Sequence, residues 1–85
     1  MGYYKIVIKE SVKKDVRNIP KKEIIRIIKK IKRFSKNPYP PDSIKLAPNK
    51  FRVRQGDYRA LYSVDEQERK VIVFKIGHRK DIYRK

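Results

Sequence analysis

The sequence contains no cysteine and a single histidine among its 85 residues. The absence of cysteine excludes a disulfide framework, a zinc–thiolate site and a cysteine nucleophile. One histidine gives little basis for a transition-metal site, so we expect no metal and no cofactor. No apolar run approaches the roughly 18 residues of a membrane-spanning helix. The strand-like N-terminus lacks a small-residue cleavage site, so we expect no signal peptide and a cytoplasmic protein.

Acidic residues are also scarce. Nine Asp and Glu stand against 25 Lys and Arg, which gives a net charge of +16. Such a charge is self-repelling on so short a chain and indicates a polyanionic partner. Nucleic acid is the first candidate and an anionic membrane surface the second, while an acidic protein partner is compatible with either. The length predicts one domain, spanning residues 1–85, with one modest core.

The first half of the chain has the periodicity of one strand and two helices. Residues 3–9 alternate between apolar and polar and predict a half-buried strand. Apolar residues at helical spacing predict a short helix that ends before Pro20. A longer helix has Pro20 in its first turn, carries an apolar stripe over residues 24–34 and ends at Asn37-Pro38. After a proline-rich connector, we expect Ile44 and Leu46 to pack under the core.

The second half has the alternation of three strands. Residues 50–62 predict two strands joined at Gln55-Gly56-Asp57, and residues 70–76 predict a buried central strand. The order is β-α-α-β-β-β, which predicts an α+β fold. In this fold two N-terminal helices pack on a mainly antiparallel four-stranded sheet.

The predicted hairpin is the strongest candidate for a functional site. Arg52 and Arg54 must project from one face, because side chains alternate across a strand. Arg59 follows on the returning strand, and Arg79 comes after the last strand. Guanidinium groups pair bidentately with phosphate oxygens, so these arginines suit a phosphodiester. The alternative is a solvated sheet face without a ligand.

Two further residues are candidates for chemistry. An imidazole suits proton transfer at neutral pH, and His78 follows a strand, although a lone histidine is more often structural. Tyr83 ends a basic tail, where its ring suits stacking on a base, or equally a hydrophobic latch.

Three segments together resemble a known family. The run F-R-V-R-Q-G-D-Y-R-A-L-Y at residues 51–62 precedes I-G-H-R-K-D-I-Y at 76–83, and the opening Y-K-I-V-I-K-E-S-V-K-K-D-V-R-N-I-P covers 4–20. Over residues 3–83 the chain resembles the RelE/ParE superfamily of toxins of type II toxin–antitoxin systems, closest to the RelE branch. This resemblance implies a RelE-like domain that cleaves mRNA on the ribosome and inhibits translation. An acidic, RelB-like antitoxin is its implied protein partner, and no membrane or small-molecule partner is implied.

The resemblance also implies roles for single residues. Arg52 and Arg54 stand where RelE enzymes have two lysines, while the positions of three functional residues are matched by Arg59, Arg79 and Tyr83. In that family the substrate's own 2′-OH attacks the adjacent phosphate without metal. The arginines would stabilise the resulting phosphorane. Only two residues follow Tyr83, so a helix that some relatives carry beyond it is not expected.

The arginines leave the general base unassigned. Burial tunes a lysine into a base, whereas arginine is very hard to deprotonate. Either His78 serves as acid or base, or the enzyme relies on electrostatics and on ribosomal RNA to align the substrate.

Two other functions remain open. One is a ParE-like inhibitor of DNA gyrase, against which the retained Arg59, Arg79 and Tyr83 argue. The other is a basic RNA-binding module without catalytic activity.

Overall fold

A computed structural model describes residues 3–82. The N-terminal half consists of strand β1 (Lys5–Ile8), helix α1 (Glu10–Asp15) with a 3₁₀ turn (Val16–Asn18), and helix α2 (Lys21–Lys32) with a second 3₁₀ turn (Arg33–Ser35). The remaining elements are β2 (Ile44–Ala47), β3 (Lys50–Gln55), β4 (Tyr58–Asp65), β5 (Lys70–His78) and the short helix α3 (Arg79–Ile82). None of the helices in this part of the chain is long and apolar enough to cross a membrane.

Within residues 3–82 the strands form one mixed sheet in the order β1-β5-β4-β3-β2. β1 runs parallel to β5, and the other pairs are antiparallel. The predicted α+β class, with two N-terminal helices and a mainly antiparallel sheet, is therefore confirmed. The strand count differs by one, because β2 pairs with the first half of β3 and adds a fifth strand.

The prediction that Ile44 and Leu46 lie under the core is wrong. Both belong to the edge strand β2, and half of each residue is exposed, 50% and 49%. The space beneath the sheet is filled by aromatic rings instead. Tyr62 stacks on Phe34 at 4.2 Å between ring centroids and on Phe51 at 5.6 Å.

The core lies between α2 and one face of the sheet. Ile27, Ile31 and Phe34 recur at helical spacing and are buried against strand residues such as Val53. The buried Tyr62 hydroxyl donates a hydrogen bond to the Pro38 carbonyl oxygen at 2.8 Å, which anchors the proline-rich connector. The side chains that alternate with the buried ones along β3 and β4 face away from this core.

A cluster around Glu66 fastens the connector and Tyr4, the residue before β1, to the turn between β4 and β5. The hydroxyl groups of Tyr39 and Tyr4 each donate to the Glu66 carboxylate, the second at 2.6 Å. These two hydrogen bonds, with Arg69 nearby, hold the pKa of Glu66 below its usual range. The Arg69 guanidinium also lies over the Tyr4 ring, 4.1 Å from its centroid.

This cluster predicts a pH-dependent stability. The pKa of Glu66 is lower in the folded state than in the unfolded chain, so its contribution is present above the unfolded pKa. It is lost as the pH falls from the unfolded pKa through the lower folded pKa. We therefore expect Glu66→Gln to lower the free energy of unfolding at neutral pH, with the difference from wild type shrinking in acid. Urea unfolding of the wild type and of Glu66→Gln, at neutral pH and in acid, measures the free energies of unfolding.

The control is Glu68→Gln in the same turn, which removes the same charge from a carboxylate 3.8 Å from Lys70. Glu66→Gln and the wild type differ in their free energy of unfolding. If this difference stayed constant from neutral pH into acid, Glu66 would not be the group that makes stability depend on pH.

Candidate functional site

The hairpin of β3 and β4 closes with a two-residue turn. Gln55 lies opposite Tyr58, which leaves Gly56 and Asp57 as the turn. Gly56 has a φ of 60°, a left-handed conformation that favours glycine. The turn reverses the chain tightly enough to place Arg59 directly opposite Arg54.

The side chains of Arg54 and Arg59 converge on one oxygen atom. Arg54 Nε donates to the Gly56 carbonyl oxygen at 3.2 Å, and Arg59 Nη1 donates to the same oxygen at 3.1 Å. Arg59 Nη1 also reaches the Tyr58 carbonyl oxygen at 3.2 Å. Like charges directly opposite each other destabilise a sheet, and guanidinium groups keep their charge at physiological pH. A bound anion would relieve this repulsion.

A cavity of about 400 Å³ opens beside these side chains, and we call it the arginine cavity. Its lining comes from the hairpin, from α2 and from the segment around the start of β2: Arg52, Arg54, Gln55, Gly56, Arg59, Lys30, Asp42 and Ile44. Four cationic side chains thus surround it, against one carboxylate. This arrangement suits an anion with several oxygen atoms, because each guanidinium offers a fork of donors.

Lys30 joins α2 to the edge of the hairpin. Its Nζ lies 2.6 Å from Asp42 Oδ2 and donates to the Arg54 carbonyl oxygen at 2.5 Å. That oxygen is accessible because β2 pairs with β3 no further than Arg52. The hydrogen bond from Lys30, helped by the charge of Arg33, holds the pKa of Asp42 below its usual range. Asp42 is therefore a carboxylate at neutral pH, and Lys30 partly neutralises it.

Arg79 and His78 lie next to the turn but outside the arginine cavity. The Arg79 backbone N–H donates to the Asp57 carbonyl oxygen at 2.8 Å, which ties the end of β5 to the hairpin. The His78 ring stands perpendicular to the Tyr58 ring, with centroids 5.5 Å apart. His78 Nδ1 accepts a hydrogen bond from the Lys80 backbone N–H at 3.2 Å.

His78 lines a second cavity of about 450 Å³, which we call the histidine cavity. Its lining shares no residue with that of the arginine cavity and consists of Lys14, Asp15, Asn18, Ile19, Tyr58, Lys75, Ile76, Gly77 and His78. The structure thus brings Arg52, Arg54 and Arg59 together and places His78 apart from them. Tyr83, the last candidate, lies outside the described residues.

Comparison with known families identifies the chain. The model of the family described as the ParE toxin of type II toxin–antitoxin systems, parDE, matches residues 6–83. The chain belongs to this toxin family. The resemblance to the RelE/ParE superfamily that the sequence shows is thereby confirmed.

Individual relatives agree with this assignment. The toxin is 43% identical to Toxin RelG of Mycobacterium tuberculosis over 35 residues, which are 41% of this chain and only 40% of that relative. It also resembles a chain in the crystal structure of the toxin–antitoxin complex RelBE2 of M. tuberculosis. The TM-score is 0.79 and the identity 20%, over 89% of this chain and 98% of that chain.

Two further solved structures have the same fold. The archaeal RelE–RelB complex of Pyrococcus horikoshii matches with a TM-score of 0.78 and 24% identity, over 93% of this chain and 97% of that one. The isolated RelE toxin of E. coli matches with a TM-score of 0.77 and 19% identity, over 88% of this chain and 83% of that one. The toxin therefore has a RelE-like fold.

Two charged residues of the toxin's arginine cavity, Lys30 and Asp42, were not predicted as site residues. No basic residue of α2 was among the site residues that the sequence predicts. Lys30, however, lies between Ile27 and Ile31, at the border of the apolar stripe, where a side chain can follow the core edge to a neighbouring strand. This position is the signal that sequence analysis missed. Asp42 has no comparable signal, because only the fold of the connector brings it to Lys30.

Proposed function

We propose that the toxin is a metal-independent, ribosome-dependent mRNA endonuclease that inhibits translation, and that it binds one phosphodiester of the mRNA in the arginine cavity. The observation that carries this proposal is the pair of Arg54 and Arg59, whose guanidinium groups share the Gly56 carbonyl oxygen. Such an arrangement of like charges is unfavourable in the free protein and is compensated by a bound anion.

In the proposed reaction the substrate's 2′-oxygen attacks the adjacent phosphorus, and the bond from phosphorus to the 5′-oxygen breaks. The products are a 2′,3′-cyclic phosphate and a free 5′-hydroxyl, so one proton leaves the 2′-OH and one reaches the 5′-oxygen. The phosphorane carries more negative charge than the diester. Arg52, Arg54 and Arg59 stabilise it by charge-assisted hydrogen bonds, while Arg79, held beside the turn, binds a neighbouring phosphate. Tyr83 remains a candidate to contact the substrate.

The positions of the proton-transferring groups favour electrostatic catalysis. His78 lines the histidine cavity and not the arginine cavity, which argues against a role at the phosphate bound by Arg59. Lys30 donates to two oxygen atoms, and an ammonium group has no lone pair with which to accept a proton. The toxin therefore relies on the arginines to stabilise charge and on the ribosome to align the 2′-OH with the phosphate.

The same charge supports an acidic, RelB-like antitoxin as the toxin's protein partner. The structural relatives include RelB–RelE complexes from two archaea and from E. coli. An acidic chain that covers a surface of net charge +16 would block access of RNA to the arginines. The toxin and its targets would then meet in the cytoplasm.

A second candidate function is inhibition of DNA gyrase, which the ParE description of the matching family favours. The third is RNA binding without cleavage, which the net charge alone would support.

One experiment separates these functions. The purified toxin is added to a translating extract and to the same mRNA without ribosomes, the RNA 5′ ends are mapped, and gyrase supercoiling is assayed in parallel. The proposal expects new 5′-hydroxyl ends only in the translating extract. Loss of supercoiling without new ends would assign the toxin to gyrase. Salt-sensitive RNA binding without either effect would indicate a binding module.

A further inference from the structure

The geometry points to a second subsite: the histidine cavity holds an unpaired nucleobase that adjoins the phosphate in the arginine cavity. This inference rests on the proposed RNA substrate and adds to it a group that recognises bases. The cavity, at about 450 Å³, lies within the range of about 300–1,000 Å³ that small-ligand pockets occupy.

The cavity has the apolar and aromatic surfaces on which a base packs. Ile19 and Ile76, 7% and 1% exposed, close the bottom of the cavity, while Tyr58 and His78 are partly exposed and offer their rings to a ligand. The rings of Tyr58 and His78 meet edge to face at 5.5 Å, so one ring supports the other. Stacking of a base on such rings tolerates any of the four bases, because each has a π-face.

Its polar groups match the edge of a base better than a phosphate. His78 Nδ1 already accepts from the Lys80 backbone, so the neutral ring presents Nε2–H as a donor. Asn18 offers both a donor and an acceptor, and Asp15 offers acceptors only. Asp15 also lies 3.9 Å from Lys75, whose charge it partly neutralises. Lys14 and Lys75 would attract a phosphate and Asp15 would repel it, whereas the edge of a base has both donors and acceptors and matches all of these groups.

The chain connects the two cavities directly. Tyr58 of the histidine cavity precedes Arg59 of the arginine cavity, and His78 precedes Arg79. Successive side chains of a strand leave opposite faces, so Tyr58 and Arg59 diverge from one point of β4. An RNA strand that crosses this end of the sheet places a phosphate at Arg59 and an adjoining base at Tyr58 and His78.

The test compares two short RNA ligands with the same phosphates. Both carry 2′-O-methyl groups, which prevent 2′-OH attack, and the second has abasic sugars throughout. The affinity ratio of the two ligands isolates the contribution of the bases. We expect the wild type to prefer the base-bearing ligand, and His78→Ala to reduce that preference about fivefold, the lower end of the range for one stacked base.

Variants outside the histidine cavity serve as controls. Arg59→Ala is expected to weaken binding of both ligands and to leave the preference for the base-bearing ligand intact. Lys80 is an exposed cation two residues from His78, and we expect the same result for Lys80→Ala. If His78→Ala disturbs the fold, as judged by circular dichroism, Asn18→Ala replaces it, because Asn18 is exposed and its truncation spares the core. We expect Asn18→Ala to reduce the preference in the same direction.

An unchanged preference in both cavity variants would overturn the subsite while leaving the proposed function in place. Equal weakening of both ligands by His78→Ala would show that the cavity takes a phosphate, which also overturns it. If the wild type bound neither ligand, the subsite would be overturned, whereas the proposed function, which needs the ribosome to align the RNA, would be decided by cleavage in the translating extract. Binding with the expected preference but without mRNA cleavage in a translating extract supports the subsite and refutes only the proposed reaction.

Discussion

Replacing Arg59 with alanine is expected to slow mRNA cleavage on translating ribosomes by about 10²- to 10³-fold, the usual effect of removing one donor that stabilises an oxyanion. Arg59 is the central cation of the arginine cavity, because it opposes Arg54 across the hairpin and shares the Gly56 oxygen with it. Its loss removes a fork of donors from the phosphorane. Single-turnover cleavage with toxin in excess over ribosomes measures the chemical step.

The controls for Arg59→Ala separate local chemistry from overall charge. Arg17→Ala removes the same charge from an exposed position that lines neither cavity, and we expect it to cleave nearly as fast as the wild type. Arg59→Lys keeps the charge but loses the bidentate fork, so its rate should fall between the two. Equal rates for Arg59→Ala and Arg17→Ala, with both variants folded, would refute the role of the arginine cavity in catalysis.

The fold follows from the sequence wherever the pattern is local. The alternation around the turn predicts β3 and β4. The turn was predicted at Gln55-Gly56-Asp57, whereas Gln55 pairs with Tyr58 and only two residues form the turn. The pairing of Arg54 with Arg59 depends on this difference of one residue, so it comes from the structure. Strand β2 was not predicted either, because four residues after a proline-rich connector carry too little pattern to indicate whether they pair at an edge or pack inside.

The position of His78 depends on an irregularity that alternation does not show. Val71 and Val73 face the core, so strict alternation would place Ile76 and His78 on the other face, with the arginines. The register between β4 and β5 shifts, however, between Leu61 and Tyr62. This bulge adds one residue to β5, turns Ile76 into the core and puts His78 opposite Tyr58.

The contribution of Lys30 provides the second large prediction. Lys30→Met removes the ammonium group that holds Asp42 at 2.6 Å and the Arg54 carbonyl oxygen at 2.5 Å. Asp42 then loses its partner and competes with the substrate phosphate for the arginines. We expect single-turnover cleavage to slow by about 10- to 100-fold, since a hydrogen bond to a charged group contributes about 1.5–3 kcal/mol.

Lys29→Met is the matched control, because Lys29 is exposed on the same helix and its loss lowers the net charge equally. A similar rate for Lys30→Met and Lys29→Met would contradict the assignment.

The double variant Lys30→Met with Asp42→Asn distinguishes two ways in which Lys30 acts. If Lys30 acts by neutralising Asp42, removal of the Asp42 carboxylate restores much of the cleavage rate. If Lys30 instead binds the phosphate directly, the double variant cleaves as slowly as Lys30→Met alone. The ion pair at 2.6 Å favours the first outcome, so we expect the rate to be largely restored.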